Sequence, residues 1–216
     1  MSKHVRLAGS FCALITMLLA PAAMAKPVTN YTHYLIAGES AEGIYRAMLR
    51  RGPHVGGAKA YASTRMEPTI SAQTVEGTNS CRIGQFKINM TFTIQLPQLR
   101  KSASVNPTLR KSFNRFYEFA KKHEETHRTI WLKCAAEAEA KVTRVVAKTC
   151  SEAEAQGLKI VEDIASKCDA RHLAFDASEQ KRLVNHPFIK QVLKKGRVIA
   201  SLPAVGSRKT RAFETN

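Results

Sequence analysis

Between Pro107 and Lys148 the apolar side chains keep helical time. Phe113, Phe116, Tyr117, Ala120, His127, Trp131, Cys134, Ala138, Val142 and Val145 recur mostly at three- and four-residue steps, the spacing that lines up one face of an α-helix. Asn106 can cap such a helix and Pro107 can take its first position. The pattern therefore predicts one amphipathic helix over about 107–148, and a rod of that length dictates what can pack beside it. Thr149 and Ser151 each have a glutamate three residues later, Glu152 and Glu154, a capping-box pattern that starts a new helix. Leu158, Val161, Ile164, Ala165, Cys168 and Phe175 form its stripe. Gly157 interrupts that stripe and marks a second place where the turn could fall.

The compartment follows from the first residues. Lys3 and Arg6 precede the apolar run FCALITMLLA, and Ala23-Met24-Ala25 ends it with small residues at its outer positions. This is the layout of a secretory signal peptide cleaved after Ala25. The run falls short of the ~20 apolar residues of a membrane span, and no later run is longer, so an exported protein that is not integral to a membrane is expected, periplasmic or extracellular. Cleavage leaves 191 of the 216 residues, enough for a single domain with its own core, and lowers the net charge from +17 to +15. So basic a chain is drawn to anionic envelope polymers. Export and the absence of a nucleic-acid module argue against nucleic acid.

Four cysteines remain: Cys81, Cys134, Cys150 and Cys168. In an oxidising compartment an even count reads as two disulfides. Two cysteines 16 apart on one helix stand about 24 Å from each other, whereas disulfide Cα atoms stand about 4.4–6.8 Å apart. That excludes Cys134–Cys150, and Cys150–Cys168 by the same reasoning. Cys134–Cys168 with Cys81–Cys150 is left. A turn near 150 sets position 134 opposite about 167, so cysteines and apolar period agree on one helical hairpin.

Upstream, residues 31–97 read as a sheet with one helix. YTHYLIAG is a short strand, and AEGIYRAMLRRGP is a helix stopped at Gly52-Pro53. In CRIGQFKINMTFTIQLP, Phe86, Ile88, Met90, Phe92, Ile94 and Leu96 alternate with polar residues, a half-buried strand in a hairpin with 69–75. If that strand lies at a sheet edge, it could take up an extended peptide. The fold class expected is α+β: a small antiparallel sheet with one helix, packed on a long two-helix hairpin. The domain runs over 26–186, with its hairpin over 106–176, followed by a basic, disordered tail over 187–216 that could serve as an attachment arm.

On the first helix, the stretch KKHEETHRTIW sets His123 and His127 one turn apart with Glu124 beside them. Both imidazoles can face one ion, and the glutamate can reach a water on it, which is the chemistry of HExxH. A catalytic zinc needs a third protein ligand and one open position. With the turn at 150, positions 123–127 face about 173–177, which offers His172 or Asp176. With the turn near Gly157, His186 comes level instead.

The elements HYLIAGESAEGIYRAMLRRGP and SCRIGQFKINMTFTIQLP, the HEETH turn and the pair Phe175-Asp176 together resemble a bacterial family of predicted secreted zinc-dependent proteases, catalogued as a domain of unknown function. The resemblance covers nearly all of the chain after the signal peptide. It implies a zinc metallopeptidase that acts on peptide or protein substrates, with zinc as cofactor, His123 and His127 as ligands and Glu124 as general base. Members of that family carry Tyr-Asp where this chain has Phe175-Asp176, and then Thr-x-His-Gly, where this chain reads ASEQKR. That departure keeps a second reading open: a non-catalytic envelope protein with a structural or degenerate zinc site.

Overall fold

A computed structural model describes residues 26–194. The expected signal peptide, 1–25, and the tail from 195 onward lie outside the described residues. Strand β1 (Val28–Ile36) leads into helix α1 (Ala41–Arg51) and a two-residue hairpin, β2 (His54–Val55) and β3 (Ala58–Lys59). Gly56 and Gly57 turn that hairpin with φ of 58° and 83°, a backbone region that L side chains rarely enter. The long hairpin β4 (Ser63–Glu76) and β5 (Cys81–Leu99) follows. Then come α2 (Pro107–Val142), the short β6 (Val146–Ala147), α3 (Cys150–Asn185) and α4 (Pro187–Leu193).

The α+β class is as expected, but the sheet is mixed rather than antiparallel. Its order is β1-β5-β4. β4 runs antiparallel to β5 from Ser63↔Gln95 to Glu76↔Cys81, whereas β1 runs parallel to it from Val28↔Thr91 to Ile36↔Leu99. A parallel partner needs a crossover, and α1 with the hairpins after it provides one. β5 is therefore central over residues 91–95, with β4 on one side and β1 on the other, so that stretch has no free edge for the incoming peptide suggested above. Its alternation is real: Phe86, Ile88, Met90, Phe92, Ile94 and Leu96 are all buried.

The helical hairpin forms, with α2 ending at Val142 rather than near 148. The connection does better as sheet. Cys81 and Arg82 of β5 pair with Ala147 and Val146, and the Ile83 amide donates to the Val145 carbonyl at 3.2 Å. Asn106 Oδ1 caps α2 by accepting from the Leu109 amide, and Thr149 Oγ1 caps α3 by accepting from the Glu152 amide. Gly157 lies inside α3, where an added Cβ would meet Ile83 Cδ1 at 2.6 Å; close approach to the sheet, not a turn, explains it. The disulfides are Cys81–Cys150 and Cys134–Cys168. The first ties the start of β5 to the start of α3, and the second ties the two long helices together.

The domain does not stop at 186. Residues 187–193, expected in the tail, form α4, whose Phe188, Ile189 and Val192 are fully buried. Phe188 lies with its ring 5.2 Å from Phe116 and 5.7 Å from Phe113. Burying three such side chains contributes several kcal/mol, at about 1.5–3 kcal/mol each. Pro187 at the first helical position and His186 as cap start this helix.

Two apolar clusters fill the interior. One gathers α1, α4 and the N-terminal part of α2 as far as Ala120; the other takes up α2 from Trp131 and α3 as far as Cys168. Between them lies a buried polar layer: His123, Glu124 and His127 on α2, and His172, Asp176 and Glu179 on α3.

Candidate metal centre

Burying six ionisable side chains in one layer is costly unless each has a partner. The spacing along the helices makes the layer possible. Positions 123 and 127 share one face of α2, while 172, 176 and 179 share one face of α3. The Cys134–Cys168 disulfide sets the two helices in register a few turns away, so the two faces meet.

Three atoms converge. His123 Nε2 and His127 Nε2 are 3.0 Å apart, and Asp176 Oδ1 lies 3.2 Å from the first and 2.9 Å from the second. Tetrahedral zinc with bonds of about 2.0–2.1 Å keeps its ligand atoms roughly 3.3 Å apart. The triangle fits such an ion, and its two-nitrogen, one-oxygen chemistry is that of zinc or a similar transition metal. His123, His127 and Asp176 are thus a buried group that could hold a metal ion. Burial pushes the Asp176 carboxyl up, but the hydrogen bonds from His123 and His127 outweigh it and hold the group at about 2. Asp176 is an anion at neutral pH, as a ligand must be.

The remaining candidates fall outside the triangle in different ways. His172 meets the other side of His127, Nδ1 to Nδ1 at 2.7 Å. If His127 binds through Nε2, its Nδ1 carries the hydrogen and donates it to His172, fixing the ring as outer partners of metal ligands do. The Nε2 of His172 faces Cys168 Sγ at 3.8 Å, and its ring packs 4.3 Å from Trp131. His186 does not join the triangle. Its Nδ1 accepts from the Phe188 amide and its ring packs on Phe116 and Phe119. Because the turn falls at 143–149 and not near Gly157, His186 becomes the cap of α4 and drops out as a ligand.

Two partners were not named from the sequence. Thr64, at the start of β4, donates its hydroxyl to Glu124 Oε2 at 2.7 Å and also lies 3.1 Å from the Glu124 carbonyl. Glu179 turns Oε2 toward His123 Nδ1 at 3.9 Å, too long for a direct hydrogen bond but within reach through one water. Its other oxygen is held by Arg182 at 2.6 Å. Glu179 could have been noticed, since it follows Asp176 by three residues. No local signal points to Thr64. Phe175 closes one side, its ring stacked 4.8 Å from His123 and edge-on 5.2 Å from His127.

Thr64 gives a direct test of this arrangement. Thr64→Val keeps the shape but takes a hydrogen-bond donor away from a buried carboxylate, so it is expected to lower unfolding stability by about 1–3 kcal/mol. Thr64→Ser should restore most of that loss in denaturant melts. A valine variant as stable as the parent would show that the hydroxyl does not hold Glu124.

A family profile described as "Bacterial protein of unknown function (DUF922)" matches residues 31–183. No curated protein and no solved structure matches the chain. The matched stretch begins in β1, spans α2 and all but the last two residues of α3, and contains every residue of the polar layer. The chain belongs to the DUF922 family of bacterial proteins.

Proposed function

We propose that the protein is a zinc-dependent metallopeptidase of the bacterial envelope. One observation carries this reading: two Nε2 atoms and one carboxylate oxygen converge, and the neighbouring Glu124 carboxylate is held in place by Thr64. Zinc bound there supplies Lewis acidity, lowering the pKa of a water toward 7 and polarising a carbonyl. Glu124 is the general base. It takes a proton from the attacking water and returns it to the leaving amine as the C–N bond breaks. His172 keeps His127 turned the right way. Among the described residues β4 has β5 as its only strand partner, and its Thr64 end touches Glu124. An extended substrate adding to that edge would run past the site. The two disulfides suit an oxidising compartment, and no helix among the described residues is long and apolar enough to cross a membrane.

A second reading, a non-catalytic protein with a structural zinc, is favoured by burial. His123, Glu124, His127 and Asp176 are only 2–6% exposed, so a substrate must displace whatever covers them. Metal analysis of tag-free protein beside a His127→Ala variant separates the possibilities. One zinc per chain in the parent, little in the variant, and cuts in a peptide library are expected. Zinc without cuts leaves the structural reading; zinc in neither protein ends both.

A further inference from the structure

We infer that Tyr61 is a catalytic residue of this site, donating its phenolic hydrogen to the carbonyl oxygen that gains negative charge when water attacks. This rests on the peptidase reading above. Tyr61 sits just before β4 and is 4% exposed. Its ring packs edge-on against Phe116 at 5.1 Å, and its backbone carbonyl accepts from the Tyr34 hydroxyl at 2.7 Å. Ring and backbone are both held. Yet its own hydroxyl has no hydrogen-bond partner among the described residues. Leaving a buried hydroxyl unmatched costs about 1–3 kcal/mol, and native proteins rarely do so without a functional reason.

Its surroundings supply that reason. Phe116, Ala120 and His123 follow one another along the buried face of α2, so the ring leans on the turns leading to the metal triangle. Three residues after Tyr61, Thr64 grips Glu124; one short segment therefore serves both the base and the phenol. Burial first, and then the charges of Glu124 and Asp176, push the Tyr61 phenol well above its ordinary value, so it stays a protonated donor. Tyr45 makes the contrast: its hydroxyl is also unmatched, but burial alone raises it, to about 12, and no site carboxylate acts on it. A preorganised donor whose acceptor appears only as charge develops is how an oxyanion is stabilised in a dry site.

The test is Tyr61→Phe in the zinc-loaded protein, with the best-cut library peptide and its phosphinic analogue, a tetrahedral anion in place of the scissile amide. Zinc content and melting temperature are expected to stay unchanged, or melting to rise slightly. The kcat is expected to fall about 10²–10³-fold with KM little altered. Calorimetric affinity for the phosphinic analogue should weaken in parallel. A variant that cuts and binds the analogue within twofold of the parent overturns the assignment while leaving the peptidase reading intact. A parent that cuts nothing overturns the peptidase reading itself, and Tyr61's role falls with it.

Discussion

Glu124→Gln is expected to leave one zinc per chain and to reduce peptide hydrolysis by about 10²–10⁴-fold, the usual contribution of a positioned general base. The substitution keeps the side chain's shape. The amide oxygen can still accept from Thr64, now 2.7 Å from Glu124 Oε2, so packing and the neighbouring His123 should not move. Only the ability to take up a proton is lost. Removing a negative charge from a buried position also relieves a desolvation cost, so the variant should melt no lower than the parent. Metal content, kcat and melting temperature measured on the same preparation decide the matter. Undiminished hydrolysis would show that another group takes the proton. Loss of zinc together with activity would make Glu124 a ligand instead of a base.

Because Glu124 is only 3% exposed, that experiment also probes access. Phe175, stacked on His123, is only partly buried and covers the imidazole pair on one side. A substrate that reaches Glu124 has to pass such a cover or enter from the β4 edge. Burial strengthens every electrostatic interaction inside the site, which suits catalysis once the substrate is in. It equally suits a structural ion, so hydrolysis, not geometry, separates the two.

What could be read from the sequence was what local periodicity and fixed rises control. The hairpin of α2 and α3 followed from three- and four-residue steps, and both disulfides from the 1.5 Å rise that forbids cysteines 16 apart on a helix from meeting. That His123 and His127 face the stretch holding His172 and Asp176 followed from those two facts together; which of the two meets both imidazoles did not. Contacts distant in sequence and without periodic signature were not legible. The parallel pairing of β1 with β5 depends on which edge the crossover reaches. The end of α2 at Val142 depends on Cys81 and Arg82 offering strand partners to Ala147 and Val146, which outweighs the helical preference of the last residues. Thr64 enters the site only because β4 passes over α2, and α4 was hidden because seven residues are too few for a period to show.

Asp176→Ala should lower zinc affinity by more than the roughly 10–100-fold that follows loss of an outer partner of a metal ligand, because it removes one corner of the triangle of His123, His127 and Asp176. His172→Ala should fall within that 10–100-fold range, since His172 meets His127 at the nitrogen that faces away from the triangle. His186→Ala should leave affinity unchanged, its cost appearing instead in α4, which it caps. The three variants therefore rank the three sequence candidates by position and not by residue type, two of them being histidines. Competition against a chelator reads the affinities, and zinc-dependent melting gives an independent check. A ligand that binds only the folded state stabilises it by RT ln(1 + [L]/Kd), so each tenfold loss of affinity removes about 1.4 kcal/mol of the zinc-induced gain. At fixed saturating zinc the gain should shrink most for Asp176→Ala, less for His172→Ala and not at all for His186→Ala. If His172→Ala proved the most damaging and Asp176→Ala mild, the ion would sit on the opposite side of His127, against Nδ1. Glu124 would then lie on the wrong side of that ring to serve as base.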